Sequence, residues 1–169
     1  MRRRILYVLA LPLMLAGVVM AASPALAVSP HFVSAAGTLN PNGSLTVNFK
    51  EAGLGTNQNI NYTFSANATA TYVCVNKGGA NPSAQNKTTV AGPVSASGTF
   101  SSGKNGNVTA SLTVSPPPSD ITCPSGQTLK LASVSYTGVT LADTTNGITV
   151  SLGDFPSGCL LPGVRGACS

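Results

Sequence analysis

The chain has no tryptophan and a single histidine, His31, and charged residues make up only 8% of its 169 positions. Each shortage excludes something. Lys and Arg are not clustered on any later segment, so there is no electrostatic footprint for nucleic acid. A Ser-His-Asp triad needs a histidine base beside its nucleophile, and one histidine near the start of the exported chain is a poor source. G-x-S-x-G and C-x-x-C do not occur. Aromatic residues are sparse, so any core is thin and gains from cross-links.

What is present begins with an address. Arg2, Arg3 and Arg4 form a positive cap, Ile5 to Met20 form an apolar run broken by Pro12 and Gly17, and Ala25-Leu26-Ala27 fits the small-residue cleavage rule. This predicts a secretory signal peptide over 1–27 and a mature chain beginning at Val28. The apolar run is shorter than the roughly 20 residues a spanning helix needs. The paired arginines raise a twin-arginine route, but the strong apolar run favours the general one. Val28 is not a cysteine that could carry a lipid, and Leu161-Pro162-Gly163 lacks the rest of a sortase signal. The expectation is a secreted, extracellular protein with no membrane anchor after cleavage. Its remaining cations, Lys50, Lys77, Lys87, Lys104, Lys130 and Arg165, lie singly along the chain, as do its acids Glu51, Asp120, Asp143 and Asp154.

All four cysteines, Cys74, Cys123, Cys159 and Cys168, follow the signal. An even number in an exported chain reads as two disulfides, with three connectivities open. Sequence order favours Cys74–Cys123 and Cys159–Cys168. Loop closure stabilises by up to about 4 kcal/mol for the long loop and about 2.7 for the short one. Metal or redox chemistry would need partners these cysteines lack.

Between Ile60 and Cys74 the even positions are Ile, Tyr, Phe, Ala, Ala, Ala, Tyr and Cys, while the odd positions are mostly Asn, Thr and Ser. Period two puts successive side chains on opposite faces of a strand. The run is long for a strand and is expected to bend or bulge around the small residues Ala66 to Ala68. Leu45–Phe49, Val108–Val114 and Ile148–Leu152 alternate likewise. Thr128 to Leu141 reads as two strands broken near Gly138, and Phe32–Leu39 and Thr88–Phe100 are weaker strands. Asn42-Gly43, Asn105-Gly106 and Asn146-Gly147 suit tight turns. Pro116-Pro117-Pro118 marks an exposed connection, and Lys77 to Lys87 a surface loop. No helical apolar stripe follows Ala27. The fold class is all-β, an antiparallel β-sandwich of immunoglobulin-like architecture with two disulfides; a closed barrel is the alternative. The expected organisation is signal peptide 1–27, sandwich 28–153 and a disulfide-closed tail 154–169. Tyr72-Val73-Cys74 echoes the immunoglobulin Tyr-x-Cys, though without a core tryptophan.

Few residues of the chain are equipped for chemistry. Gly53-Leu54-Gly55 reads as a turn. Glu51 follows Lys50 at a strand end and is expected in a solvated rim pair. Asp143 and Asp154 lie near strand ends where a glycosidase-like carboxylate pair could form, or a weak calcium site with loop carbonyls. No catalytic, cofactor-binding or metal residue is assigned, and no cofactor or enzyme activity is expected. Asn42, Asn61, Asn67, Asn86 and Asn107 head N-x-S/T sequons. The Cys159–Cys168 loop could present Arg165 as an inhibitor presents a basic residue to a trypsin-like protease, ordering beforehand lowering the cost of binding; the simpler reading is a clasp against fraying.

Phe49-Lys-Glu-Ala-Gly-Leu-Gly55, Tyr72-Val-Cys-Val-Asn-Lys-Gly-Gly79 and Val94-Ser-Ala-Ser-Gly-Thr-Phe-Ser-Ser-Gly-Lys-Asn-Gly106 resemble a family of small uncharacterised secreted proteins of actinomycetes. The resemblance runs to about Gly153 and implies a bacterial, exported setting, with no activity or site residues to carry over. In such a setting the sequons arise by chance in an Asn- and Thr-rich chain. Three function classes follow. The first is an extracellular binding or surface-interaction module for protein or carbohydrate. The second is a coat or matrix component built through strand edges. The third is a protease inhibitor acting through Arg165.

Overall fold

The computed structural model describes residues 29–80 and 86–168. The expected signal peptide, its cleavage point and Val28 therefore lie outside the described residues. Seven strands form: β1 (His31–Leu39), β2 (Leu45–Ala52), β3 (Asn59–Asn76), β4 (Lys87–Ser101), β5 (Val108–Val114), β6 (Gln127–Asp143) and β7 (Ile148–Cys159). Every pairing between them is antiparallel, in a three-stranded sheet ordered β1-β2-β5 and a four-stranded sheet ordered β4-β3-β6-β7. The two sheets stay separate, so the fold is a sandwich and not a closed barrel. No helix among the described residues is long and apolar enough to cross a membrane.

Alternation explains the two layers. The even residues Ile60, Tyr62, Phe64, Ala66, Ala68 and Ala70 of β3 point inward, where they join Leu45, Val47 and Phe49 of β2 and Leu112 and Val114 of β5 in one core. Phe32, Phe49, Tyr62 and Phe100 form an aromatic cluster with ring centroids 4.6–6.4 Å apart. Ala68 pairs with Tyr136 on β6, so a small residue lies beside a large one in the middle of the sheet. At one flank of the sandwich the ring of Phe155 occupies the space a side chain on Gly37 would fill.

The Asn42-Gly43 and Asn146-Gly147 turns close the β1–β2 and β6–β7 hairpins with glycine at positive φ, 86° and 73°. At such values a side chain would strain the backbone.

The structure corrects several expectations. Thr128 to Leu141 belongs to one strand, β6, and not to two. Gly138 does not end it but forms a bulge, since Ser65 pairs with Thr140 while Asn67 pairs with Thr137. The bend or bulge expected around Ala66 to Ala68 corresponds to this register shift, whose extra residue lies in β6 and not in β3. A second bulge at Ala132 follows the same logic. β7 continues through Asp154 to Cys159, so the sandwich extends beyond the boundary expected at Gly153. The weaker strands near Phe32 and Thr88 are full members of their sheets.

Both expected disulfides form, Cys74–Cys123 and Cys159–Cys168. The first ties β3 to the β5–β6 connection, not one sheet to the other. Two disulfides suit an oxidising environment.

Candidate functional site

The outward residues of β3 from Asn61 to Thr71 form a polar ridge: Asn61, Thr63, Ser65, Asn67, Thr69 and Thr71. Register places Thr99, Ser97, Ser95, Pro93, Ala91 and Thr89 of β4 on one side. Thr140, Thr137, Ser135 and Ser133 of β6 lie on the other. None of these ridge residues or their named partners on β4 and β6 is charged; the carboxylate of Asp154 on β7 meets the border of the field at Gly138. Its hydroxyls and amides meet across strands: Thr63 with Ser97 and Thr71 with Thr89, both at 3.1 Å, and the Thr99 hydroxyl donates to Asn61 Oδ1 at 2.7 Å. A hydroxyl in such a pair still has donor or acceptor capacity for a ligand.

One end of this face is walled. The segment after β7 turns back across the outer surface of the sheet, with turns closed by Val164 N–H to Leu161 O and Ala167 N–H to Val164 O. Leu161, Val164 and Ala167 cover Val73 and Ala132, giving the segment its own small apolar core. The bulge at Ala132 serves it directly: the Ala132 carbonyl accepts the Leu160 N–H at 2.8 Å and faces the Cys168 sulfur at 3.5 Å. The tail is therefore a docked clasp. Between it and the sheet lies a pocket of about 350 Å3, lined by Thr71, Thr89, Ser133 and Ser157, by Lys87, and by the Cys159–Cys168 bridge. That volume falls at the lower end of the ~300–1,000 Å3 range of small-ligand sites. Lys87 and Lys130 flank Val73 at this end, so two cations stand beside the clasp.

The opposite end of the sandwich holds a polar group in the core. Glu51 is fully buried, as is Asp143, with Tyr62 beside them. The rim pair expected for Glu51 and Lys50 does not exist: Lys50 is exposed and Glu51 points inward. The reason is its phase, since Leu45, Val47, Phe49 and Glu51 share one face of β2. Burial pushes the Glu51 carboxyl up to about 7; the Tyr62 hydroxyl opposes this, the charge of Asp143 adds to it, and His31 opposes it weakly. Neither carboxylate oxygen of Glu51, nor the Tyr62 hydroxyl, has a hydrogen bond of good geometry, although the side chains are near enough to influence one another's titration. Asp143 is satisfied instead by the hairpin turn. Its Oδ1 accepts the Thr145 and Asn146 N–H groups at 2.8 and 3.0 Å, and its Oδ2 accepts Asn146 Nδ2 at 2.6 Å.

Asp143 and Asp154 do not meet. Asp154 Oδ1 accepts the N–H of Gly138 at 2.8 Å, at the β6 bulge. Among the described residues the carboxyls brought together are Glu51 and Asp143, a pair the sequence reading missed; the inward phase of Glu51 was the available signal. No group of three His, Cys, Asp or Glu side chains among the described residues is arranged to hold a metal. His31 is exposed, its Nδ1 2.8 Å from the Ser29 carbonyl. Arg165 is exposed, but its backbone bridges to Ala80, so the loop lies against the body and does not project. Asn61 and Asn67 stand exposed on the polar face.

No family model, curated protein or solved structure matches the chain.

Proposed function

We propose that this protein is an exported, non-catalytic binding module that takes uncharged, polyhydroxylated ligands on the outer face of β4-β3-β6-β7. The single observation that carries this reading is the field of Ser, Thr and Asn from Asn61 to Thr71 and its paired partners on β4 and β6, with Asp154 of β7 only at its border. Groups that both donate and accept suit carbohydrate hydroxyls. Their repetition along the strands suits a polymer, where many weak contacts add through effective concentration. Export through the leader over 1–27, in a bacterial setting, accords with the two disulfides.

The other classes find less support. A matrix built through strand edges needs open edges. Here β4 carries Pro93, β7 is bulged and carries Pro156, β1 shifts register at Val33, and β5 is short and leads to Pro116. An inhibitor needs a projecting loop, and Arg165 is tied to Ala80. Catalysis by Glu51 and Asp143 would need access from solvent, and both are sealed.

Co-sedimentation of the chain from residue 28 with insoluble polysaccharides, among them cellulose, chitin and bacterial cell-wall glycan, tests the reading. Retention on at least one polymer is expected, with at least a tenfold loss for the Asn67→Glu/Thr69→Glu variant at unchanged melting temperature. No retention on any polymer, or equal retention of the variant, overturns it.

A further inference from the structure

The buried group at the end of the sandwich opposite the clasp has no part in ligand binding on the polar face, and it carries a separate inference. Glu51 enters the core from β2, Tyr62 from β3 and Asp143 from β6. The Glu51 backbone pairs with Phe32 on β1 and Val108 on β5, and Asp143 pairs with Tyr62 and with Ile148 on β7. Those neighbours supply no cation. Lys50 points to solvent, and His31, on the exposed start of β1, is the other titratable group whose charge reaches Glu51.

Buried polar atoms are almost always satisfied, and a buried charge without a partner costs far more than a buried neutral group. Three buried oxygens here lack a hydrogen bond: both of Glu51 and the hydroxyl of Tyr62. Asp143 differs from Glu51 in that it accepts three donors from Thr145 and Asn146 of the turn, whereas Glu51 accepts none. Two carboxyls in one enclosed site cannot both ionise cheaply, so the proton belongs on Glu51.

We propose that Glu51 and Asp143 form a one-proton carboxyl pair that latches this end of the sandwich, closed while Glu51 holds the proton and loosened when it is lost. In the closed state Glu51 is neutral, beside the Asp143 carboxylate and the Tyr62 hydroxyl. On release the proton passes to solvent, leaving two negative charges in the core beside a phenol. The strand ends meeting there bear the 53–58 and 102–107 loops, which are held together by Leu54 N–H to Gly106 O and Asn57 N–H to Gly103 O. These are the segments expected to loosen.

The sign follows from linkage. Glu51 rises from 4.5 to about 7 on folding, so the folded state binds the extra proton. The stabilisation is complete below pH 4.5 and is lost as pH rises through 7. Across that window the folding equilibrium constant falls towards tenfold per unit, about 300-fold in all.

Urea unfolding of the disulfide-intact chain from residue 28 between pH 4.5 and 8.5 tests this. The wild type should lose on the order of 100-fold or more in its folding constant over that range. Glu51→Gln, which keeps the shape and cannot ionise, should flatten most of that slope. His31→Gln should keep it. Should Glu51→Gln fail to fold, a carboxyl NMR titration of the wild type decides: a Glu51 midpoint near 7 supports the latch, and one below 5 overturns it. A slope unchanged in Glu51→Gln also overturns it. So does a rise in melting temperature with millimolar Ca2+ or Mg2+ at pH 8 that Glu51→Gln abolishes, since a cation would then be the occupant.

Discussion

The hydroxyl of Tyr136, on β6, donates a 2.7 Å hydrogen bond to the carbonyl of Gly43 in the β1–β2 turn. One sheet thereby grips the hairpin of the other through the core. Gly43 has no side chain, and a Cβ there would collide with Leu131. The bond is fully buried, so removing its donor leaves the Gly43 carbonyl unpaired. Tyr136→Phe should lower stability by about 1–3 kcal/mol, read as a shift in urea midpoint with unchanged slope. A shift below measurement error would show that the carbonyl finds another donor.

The same burial predicts alkaline behaviour. Burial pushes the Tyr136 hydroxyl up to about 12 and raises Tyr62 and Tyr72 as well. Folding therefore protects these phenols from ionising, and stability must fall as pH rises above the unfolded value near 10. Phenolate absorbance should appear together with loss of the folded circular dichroism signal. Ionisation of all tyrosines well before unfolding would contradict the packing.

Phe64 and Thr63 are neighbours on opposite faces of β3, the first fully buried and the second half-buried on the polar face. Phe64→Asp puts an unpaired charge in the core and should exceed ~4 kcal/mol, enough to prevent folding. Thr63→Asp loses only the contact with Ser97 and should stay within about 1 kcal/mol. Circular dichroism and thermal melts separate the two.

The clasp is coupled to the sheet through Val73, Ala132 and Ala167. Cys159→Ala/Cys168→Ala should therefore cost up to about 2.7 kcal/mol of loop closure and also expose Val73. Hydrogen exchange should quicken at Leu160 and at the β3 and β6 amides beneath the clasp. Exchange confined to 160–168 would mean that the tail is only an appendage. Cys74→Ala/Cys123→Ala, closing the longer loop, should cost up to about 4 kcal/mol and lower the melting temperature of the whole domain.

Local pattern was enough for the layers. Strict alternation in β2, β3 and β5 specifies a strand and the face it buries, because side chains on a pleated backbone must alternate whatever lies opposite. Cysteine order likewise favoured the observed pairing, since Cys159 and Cys168 are near enough in sequence to meet after a single turn. The polar ridge from Asn61 to Thr71 could also be read directly as the other half of that alternation. Tertiary structure alone decided what each face meets. Gly138 reads as a strand break, yet β6 keeps its pairing with β3 on both sides of it and takes up the extra residue as a bulge. The Ala132 bulge directs a carbonyl to Leu160, which no local pattern announces. Glu51 lies in phase with Phe49, but a charged residue at a strand end is ordinarily solvated. Only the arrival of Tyr62 and Asp143 from the other sheet seals it in, because burial depends on what a distant segment places opposite and not on the strand's own period.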